Sequence, residues 1–169
     1  GILMPKDNVA EGVLYVKVRD IRQDRVLLDQ LQRTAPSIAA KYPRSVLKGG
    51  DLLLSIRGTY GRVATVPVEL EGGNITQDTC RLAIVPPCDP AYVAWYLRSE
   101  SGQRYFRHVA RGVAVKGVNI ADVRLMPIPL PPLAEQARIV EEVERRLSVA
   151  DRLEATLEAN LRRATRLRQ

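Results

Sequence analysis

Side chains that could carry covalent or metal chemistry are few in this sequence of 169 residues. His108 is the single histidine, and Cys80 and Cys88 are the two cysteines. A nucleophilic triad needs a histidine beside a serine or a cysteine, and a structural zinc ion needs four ligands. The sequence also lacks a phosphate-binding glycine loop and an acidic cluster suited to two metals. We therefore expect no enzymatic activity, no metal and no cofactor.

The charge balance points to a different chemistry. Lys and Arg total 26 and Asp and Glu total 19, so the net charge is +7 and the isoelectric point about 9.8. Residues 1–134 carry 18 basic and 12 acidic side chains, so most of the excess lies in this part of the chain. Such a balance favours a polyanionic partner, although a generally basic surface remains the alternative.

Location and redox environment are also constrained by the sequence. No apolar run approaches the roughly 18 residues of a membrane span. Lys6 and Asp7 interrupt any apolar leader at the start, and two cysteines cannot build a disulfide framework. We therefore expect a cytoplasmic protein.

The elements that must position functional side chains follow from short apolar runs separated by turn residues. This pattern predicts a mixed α+β domain of short strands and small helices over residues 1–126. Strands are predicted at 13–18, 26–28, 52–57, 62–66 and 80–85. Helices are predicted at 34–42, capped by Thr34 or Ser37, and from Asp89 to about Tyr105. A loop is expected from Arg111 to Asn119.

The chain changes character near residue 127. Residues 127–132 contain four prolines and predict a stiff, extended linker. Residues 133–169 contain no glycine or proline and predict one helix of roughly 55 Å, with a break possible near Ser148. Its apolar residues recur every three or four positions: Ile139, Val143, Leu147, Ala150, Leu153, Leu157, Leu161, Ala164 and Leu167. This narrow stripe predicts a partner-helix interface of the coiled-coil type; packing along its own domain is the alternative.

Four segments of the sequence carry a resemblance. LPPLAEQ at 130–136, followed by the long helix, is similar to the phrase "PLPPLAEQ" that closes a target recognition domain in the DNA-specificity (S) subunits of type I restriction-modification systems. KGGDLLLSIRG at 48–58 and GVAVKGVNI at 112–120 resemble the "KGDILISIRG" and "G-s-x-x-K-x-I-N" stretches of that family. Residues 15–21 resemble its early strand. These phrases occur in the family's order and cover nearly the whole chain.

The resemblance implies a non-catalytic, dimeric or paired DNA-binding protein. Each recognition domain of an S subunit reads one half of a bipartite target, and its helices hold the methyltransferase (modification) subunits and, through them, the restriction subunit. The family has two recognition domains and two spacer helices, and its opening tryptophan-containing strand is expected before Gly1. We therefore expect a half-subunit, a truncated product or a cut piece. A half-subunit that pairs with its own copy would read a gapped palindrome.

Under this resemblance, three polar clusters are candidates for DNA contact. Arginine pairs both acceptors of a guanine edge, Asn and Gln suit adenine, and cations suit phosphates. The candidates are Arg57, Thr59, Tyr60 and Arg62 at a glycine turn, Asn74 and Gln77 after a Gly-Gly turn, and Arg111, Lys116 and Asn119 in the loop. Ordinary turn chemistry and solvated arginines remain the alternatives. The rival function is a helix-mediated interaction or dimerisation module whose basic surface is incidental.

Overall fold

The buried run Leu52–Leu54 forms most of strand β5 (Leu52–Ser55) in a computed structural model of the chain. The structure describes residues 1–3, 5 and 8–167, apart from the side chains of 164 and 167. Strands β6 (Val63–Thr65) and β8 (Thr79–Leu82) pair with β5 on either side, both antiparallel. Because β5 is central and covered on both faces, its sequence is continuously apolar rather than alternating.

A second sheet contains β1 (Val13–Val16) between β4 (Gln32–Thr34) and β7 (Asn74–Ile75). β4 is antiparallel to β1, and β7 is parallel to it. Between β1 and β4 the chain forms a small hairpin of β2 (Ile21–Arg22) and β3 (Arg25–Val26).

One apolar cluster joins the sheets and the hairpin. It contains Val16, Ile21, Val26, Leu47, Leu53, Ala64, Val66, Leu70 and Ile75. Residues from β1, β2, β3, β5, β6 and β7 contribute to it, so these strands share one core. Burial of such side chains stabilises the domain by about 1.5–3 kcal/mol each.

The small helices differ in detail from the expected ones. α1 (Pro36–Ala39) begins after Ala35, and neither Thr34 nor Ser37 caps it. The helix expected from Asp89 to Tyr105 is two helices, α2 (Pro90–Arg98) and α3 (Glu100–Val109). Ser99 lies between them in an extended conformation and accepts a hydrogen bond from the Gly102 N–H, which starts a new helix.

Further helical segments were not expected from the sequence. α4 (Ile120–Arg124) follows the loop that ends at Asn119. Single 3-10 turns lie at Val18–Asp20, Leu28–Gln30, Pro43–Ser45 and Val68–Leu70. Each is too short to leave a periodic apolar pattern in the sequence.

The chain divides into two compact units, Gly1–Pro129 and Leu130–Gln169. The second unit holds α5 (Leu133–Leu167), which is continuous through Ser148. Glu142 accepts hydrogen bonds from Arg145 and Arg146 on the next turn, which lower its pKa to about 2. No described helix is both long and apolar enough to cross a membrane. The α+β architecture with a long C-terminal helix is as predicted.

An ion pair fixes the start of β5. The Arg81 Nε lies 2.7 Å from the Asp51 Oδ2, which also accepts a hydrogen bond from the Lys48 N–H. The Arg81 guanidinium in addition donates to the Val46 carbonyl. Because Asp51 is buried, its carboxylate depends on this partner.

We predict that Arg81→Met lowers the free energy of unfolding by about 3 kcal/mol, since it leaves the Asp51 carboxylate buried and unpaired. Urea denaturation followed by circular dichroism measures the change. Arg44→Gln, at an exposed arginine, serves as the control and should shift stability by less than about 0.5 kcal/mol. Equal stabilities of the Arg81 variant and the parent chain would contradict the role assigned to this pair.

Candidate nucleic-acid interface

The loop between α3 and α4 is closed at its base by two backbone hydrogen bonds. The Arg111 N–H donates to the Gly117 carbonyl (2.8 Å), and the Gly117 N–H donates to the Arg111 carbonyl (2.9 Å). Gly112 has φ +117°, and a Cβ there would lie 2.3 Å from the Val115 carbonyl oxygen. The tight loop therefore requires glycine at this position.

The same loop is attached to the end of β5. The Val118 N–H donates to the Ile56 carbonyl (2.8 Å), and the Gly58 N–H donates to the Lys116 carbonyl (3.0 Å). Two segments that are far apart in the sequence thus share one backbone scaffold.

Residues of this scaffold line an open cavity of about 570 Å³, here called the basic groove. Its polar lining residues are Arg57, Gln77, Arg111 and Asn119, and its floor includes Ile56 and Val118. Lys116 lies exposed in the loop that borders it. The structure therefore brings together one or more candidates from each of the three clusters that the sequence separates. The two guanidinium groups can donate to phosphates and to base edges, and the two amides can both donate to and accept from base edges.

Beside the basic groove, residues 58–61 form the glycine turn that joins β5 to β6. The buried hydroxyl of Ser55 donates to the Thr59 carbonyl (2.7 Å) and accepts from the Arg62 N–H (2.8 Å). The Gly61 N–H donates to the Ser55 carbonyl (2.9 Å). On the turn, Thr59 is exposed and Tyr60 half-buried. Ser55 was not among the candidates, because a serine at the end of an apolar run gives no functional signal in the sequence.

Two predicted contact residues have structural roles instead. Asn74 is fully buried: its Oδ1 accepts from the Ser45 hydroxyl (2.5 Å) and from the Ile75 N–H (2.9 Å). It is therefore out of reach of a ligand, and the expectation for Asn74 is wrong. Arg62 is half-buried and donates to the carbonyls of Val18 and Ile21. Its guanidinium ties the β2–β3 hairpin to β6, so we assign it to the scaffold rather than to base reading.

Asp122 of α4 lies near Arg111, with 3.8 Å between its Oδ1 and the Arg111 Nη2. The backbone carbonyl of Asp122 accepts a hydrogen bond from the Tyr105 hydroxyl, which links α4 to α3. This carboxylate limits where the exposed Arg111 side chain points. Sequence reasoning missed Asp122, since an acidic residue in the first turn of a helix usually serves the helix dipole alone.

The side chains suited to nucleophilic or metal chemistry do not form a site. Cys80 is buried, and this desolvation raises the pKa of its thiol to about 12, which disfavours the reactive thiolate. Within the described residues, no cluster of His, Cys, Asp and Glu side chains could hold a metal ion.

In the second unit, the apolar stripe of α5 is accessible. Leu153, Leu157 and Leu161 are 60%, 69% and 70% exposed, and Ile139, Val143, Leu147 and Ala150 continue the stripe towards the start of the helix. The side chains of Ala164 and Leu167 lie outside the described ones. Large exposed leucines in a row are typical of an association surface.

Comparison with known proteins decides the family. The model of the type I restriction modification DNA specificity domain matches residues 7–163. The chain belongs to this family. The type I specificity family consists of specificity subunits, which are non-catalytic, in agreement with the expectation from the side chains.

Individual relatives agree. The chain is 29% identical over 174 residues to the specificity subunit of the type I restriction enzyme EcoBI from Escherichia coli, covering all of this chain and 36% of that protein. It is 25% identical to the HsdS subunit from Thermoanaerobacter tengcongensis, whose crystal structure matches with a TM-score of 0.65 over 85% of this chain and 38% of that one.

Two further solved structures share the fold. A chain from a study of complex assembly and conformational transition in the type I restriction-modification system matches with a TM-score of 0.68 at 20% identity, over 93% of this chain and 37% of that chain. The S subunit from M. genitalium matches with a TM-score of 0.51 at 18% identity, over 90% of this chain and 36% of that chain. The present chain thus spans a little over a third of these relatives.

We predict that Ser55→Ala lowers the free energy of unfolding by about 1–3 kcal/mol, because the Arg62 N–H and the Thr59 carbonyl are left without a buried partner. Urea denaturation measures this change. Thr65→Ala, at an exposed position on the adjacent strand, is the control. If both variants unfold at the same denaturant concentration as the parent chain, Ser55 does not hold the glycine turn.

Proposed function

We propose that this chain is the sequence-specific DNA-binding part of a type I specificity subunit and reads one half of a bipartite target. The observation that carries the proposal is the basic groove, where Arg57, Gln77, Arg111 and Asn119 line one cavity in a domain of this family. All four side chains are exposed. The partner we assign to the groove is double-stranded DNA.

The residue types suggest which side chains contact base edges and which contact phosphates. Arg57 and the amides Gln77 and Asn119 suit base edges, since arginine matches guanine and the amides match adenine. Lys116 and Arg111 suit phosphates, with Thr59 and Tyr60 of the glycine turn as further contacts. Phosphate contacts fix the register of the duplex, and base contacts then determine which sequence is preferred.

Membership of this family supports a proposal for the wider assembly. We propose the division of the chain into a recognition domain at 1–126, a proline-rich linker at 127–132 and a spacer helix at 133–169. The helix would dock the methyltransferase subunits and, through them, the restriction subunit. We place this assembly in the cytoplasm, where its DNA target would be located.

The exposed stripe of α5 supports pairing with a second helix. A copy of this chain, or a second half-subunit, would cover Leu153, Leu157 and Leu161. Pairing of two identical chains presents two equal recognition domains, so the DNA target would be a gapped palindrome.

The same leucines favour a second candidate, a helix-mediated interaction module whose basic surface does not read DNA. The two functions differ in one measurable property. Neutralisation of phosphates makes DNA affinity fall with salt, at a slope of about 0.9 per phosphate contacted. A module without a DNA interface would show no specific sequence in a selection from randomised duplexes.

We predict different effects for two groove variants. Lys116→Gln should reduce the salt slope by about 1 and weaken all sequences alike, because a phosphate contact carries no base information. Arg57→Gln should cost about 1–3 kcal/mol on the preferred sequence and relax the preference at one position. Fluorescence anisotropy across salt concentrations, and selection from randomised duplexes, measure the two effects.

Arg44→Gln is the matched control for these variants, since Arg44 is exposed and does not line the basic groove. Its slope and its selected sequence should equal those of the parent chain. A parent chain that binds DNA weakly and selects no sequence would reject the DNA-reading proposal in favour of the interaction module.

We predict that the chain forms a dimer with a mass of twice 18.8 kDa. Leu157→Glu should return it to a monomer, because a carboxylate cannot be buried unpaired between two helices. Ala155→Glu lies about 200° around the helix from Leu157 and should leave the dimer intact. Light scattering over a range of protein concentrations gives these masses. A parent chain that is monomeric throughout would exclude self-pairing.

A further inference from the structure

The β2–β3 hairpin presents two arginines with no role in the groove described above. Arg22 and Arg25 are directly opposite each other in the register of the two strands, and both are exposed. Among the described residues, no ion pair involves either side chain. Like charges in such a pair destabilise a hairpin. Two unneutralised cations thus lie at a cross-strand position where a neutral or oppositely charged pair would make the hairpin more stable.

The turn of the hairpin is also unfavourable locally. Gln23 and Asp24 have φ values of +47° and +63°, in the left-handed region that glycine and asparagine usually occupy in such turns. Arg98 holds this conformation: its Nε lies 3.3 Å from the Asp24 Oδ1, and its Nη2 contacts the Asp24 carbonyl at 3.5 Å. Strained backbone that neighbours hold in place is frequent at binding sites.

Beside the hairpin lies a second cavity, of about 410 Å³, here called the hairpin cavity. Arg22, Arg62 and Arg98 line it, and of the described residues that line it Asp24 alone is acidic. The cavity therefore carries an excess of two positive charges. Its walls are fixed, because Arg62 donates to the Val18 and Ile21 carbonyls. Such a cavity suits an anionic group.

The hairpin cavity and the basic groove flank the same glycine turn. Gly61 lines the hairpin cavity, whereas Ile56 and Arg57 line the basic groove. The Gly61 N–H donates to the Ser55 carbonyl, so the two ends of the turn are adjacent. Arg57 and Gly61 are separated by at most about 14 Å of extended chain. One helical turn of B-DNA is about 34 Å long, so a single duplex that crosses the glycine turn is long enough to reach both.

We propose that Arg22, Arg25 and the hairpin cavity form a second phosphate-contact surface, which extends the DNA footprint across the glycine turn. The inference rests on the proposed function of the basic groove. Its contacts position the duplex and carry no base preference, because phosphate contacts fix register and orientation without reading the base sequence. The opposed cations then have a reason, since phosphates neutralise the two arginines in the complex.

The test is the salt dependence of binding to a mixed-sequence duplex of about 30 base pairs, roughly three helical turns. Removing both charges with Arg22→Gln and Arg25→Gln in the 169-residue chain should lower the slope by about 2, at roughly 0.9 for each phosphate that is no longer neutralised. The sequence selected from randomised duplexes should not change. Adding Lys116→Gln should lower the slope by about 1 more, because the two surfaces contribute separately.

Two controls separate a direct contact from a general loss of charge or fold. Lys41→Gln with Arg44→Gln removes the same charge at exposed positions that line neither cavity, and should leave the slope nearly unchanged. Arg22→Lys with Arg25→Lys keeps the charges and should keep the slope.

The outcomes distinguish this proposal from the one on which it rests. If Lys116→Gln lowers the slope but the hairpin double variant matches the parent chain, the second surface is rejected and the basic groove stands. An equal fall in the Lys41 and Arg44 control also rejects it, since the effect would then be net charge alone. If the parent chain shows no salt-dependent binding, the DNA-reading function itself fails.

Discussion

The buried hydroxyl of Ser55 holds both ends of the glycine turn at once, through the Thr59 carbonyl and the Arg62 N–H. The segments on either side of this turn contact distant parts of the domain. Towards the end of β5, the backbone of Ile56 and Gly58 binds the 111–119 loop. Towards the start of β6, Arg62 reaches the carbonyls of Val18 and Ile21, at the start of the β2–β3 hairpin. The end of β5 and its glycine turn therefore contact two segments that are distant in the sequence, the 111–119 loop and the β2–β3 hairpin.

The arginines of the first unit divide into two groups that look alike in the sequence. Arg62, Arg81 and Arg98 donate to backbone carbonyls and, for the last two, pair with a carboxylate. Arg57 and Arg111 instead remain exposed at the basic groove. The difference arises because the guanidinium donors can satisfy carbonyls at chain crossings, where no strand partner is available. Part of the positive charge is thus structural.

The sequence is sufficient for the fold class, the continuous central strand and the long helix, because each leaves an apolar pattern of clear period. It also locates the 111–119 loop and the exposed polar residues of the basic groove. It is not sufficient for Asn74, whose burial depends on Tyr42 and Ser45 from another segment. Nor does it reveal Asp122, or the break at Ser99, since a serine can either cap a helix or lie within one. These depend on tertiary contacts between segments.

The 111–119 loop has a consequence for how such a domain can diverge. Its two ends are joined by backbone hydrogen bonds between Arg111 and Gly117, and its tip carries the fully exposed Val113. Backbone pairing does not depend on which side chains lie between the paired residues. The tip can therefore exchange side chains, provided that Gly112 is kept, without unfolding the core beneath it. Mutational drift in the tip is decoupled from folding, so the side chains of one short segment can change while the scaffold is inherited intact.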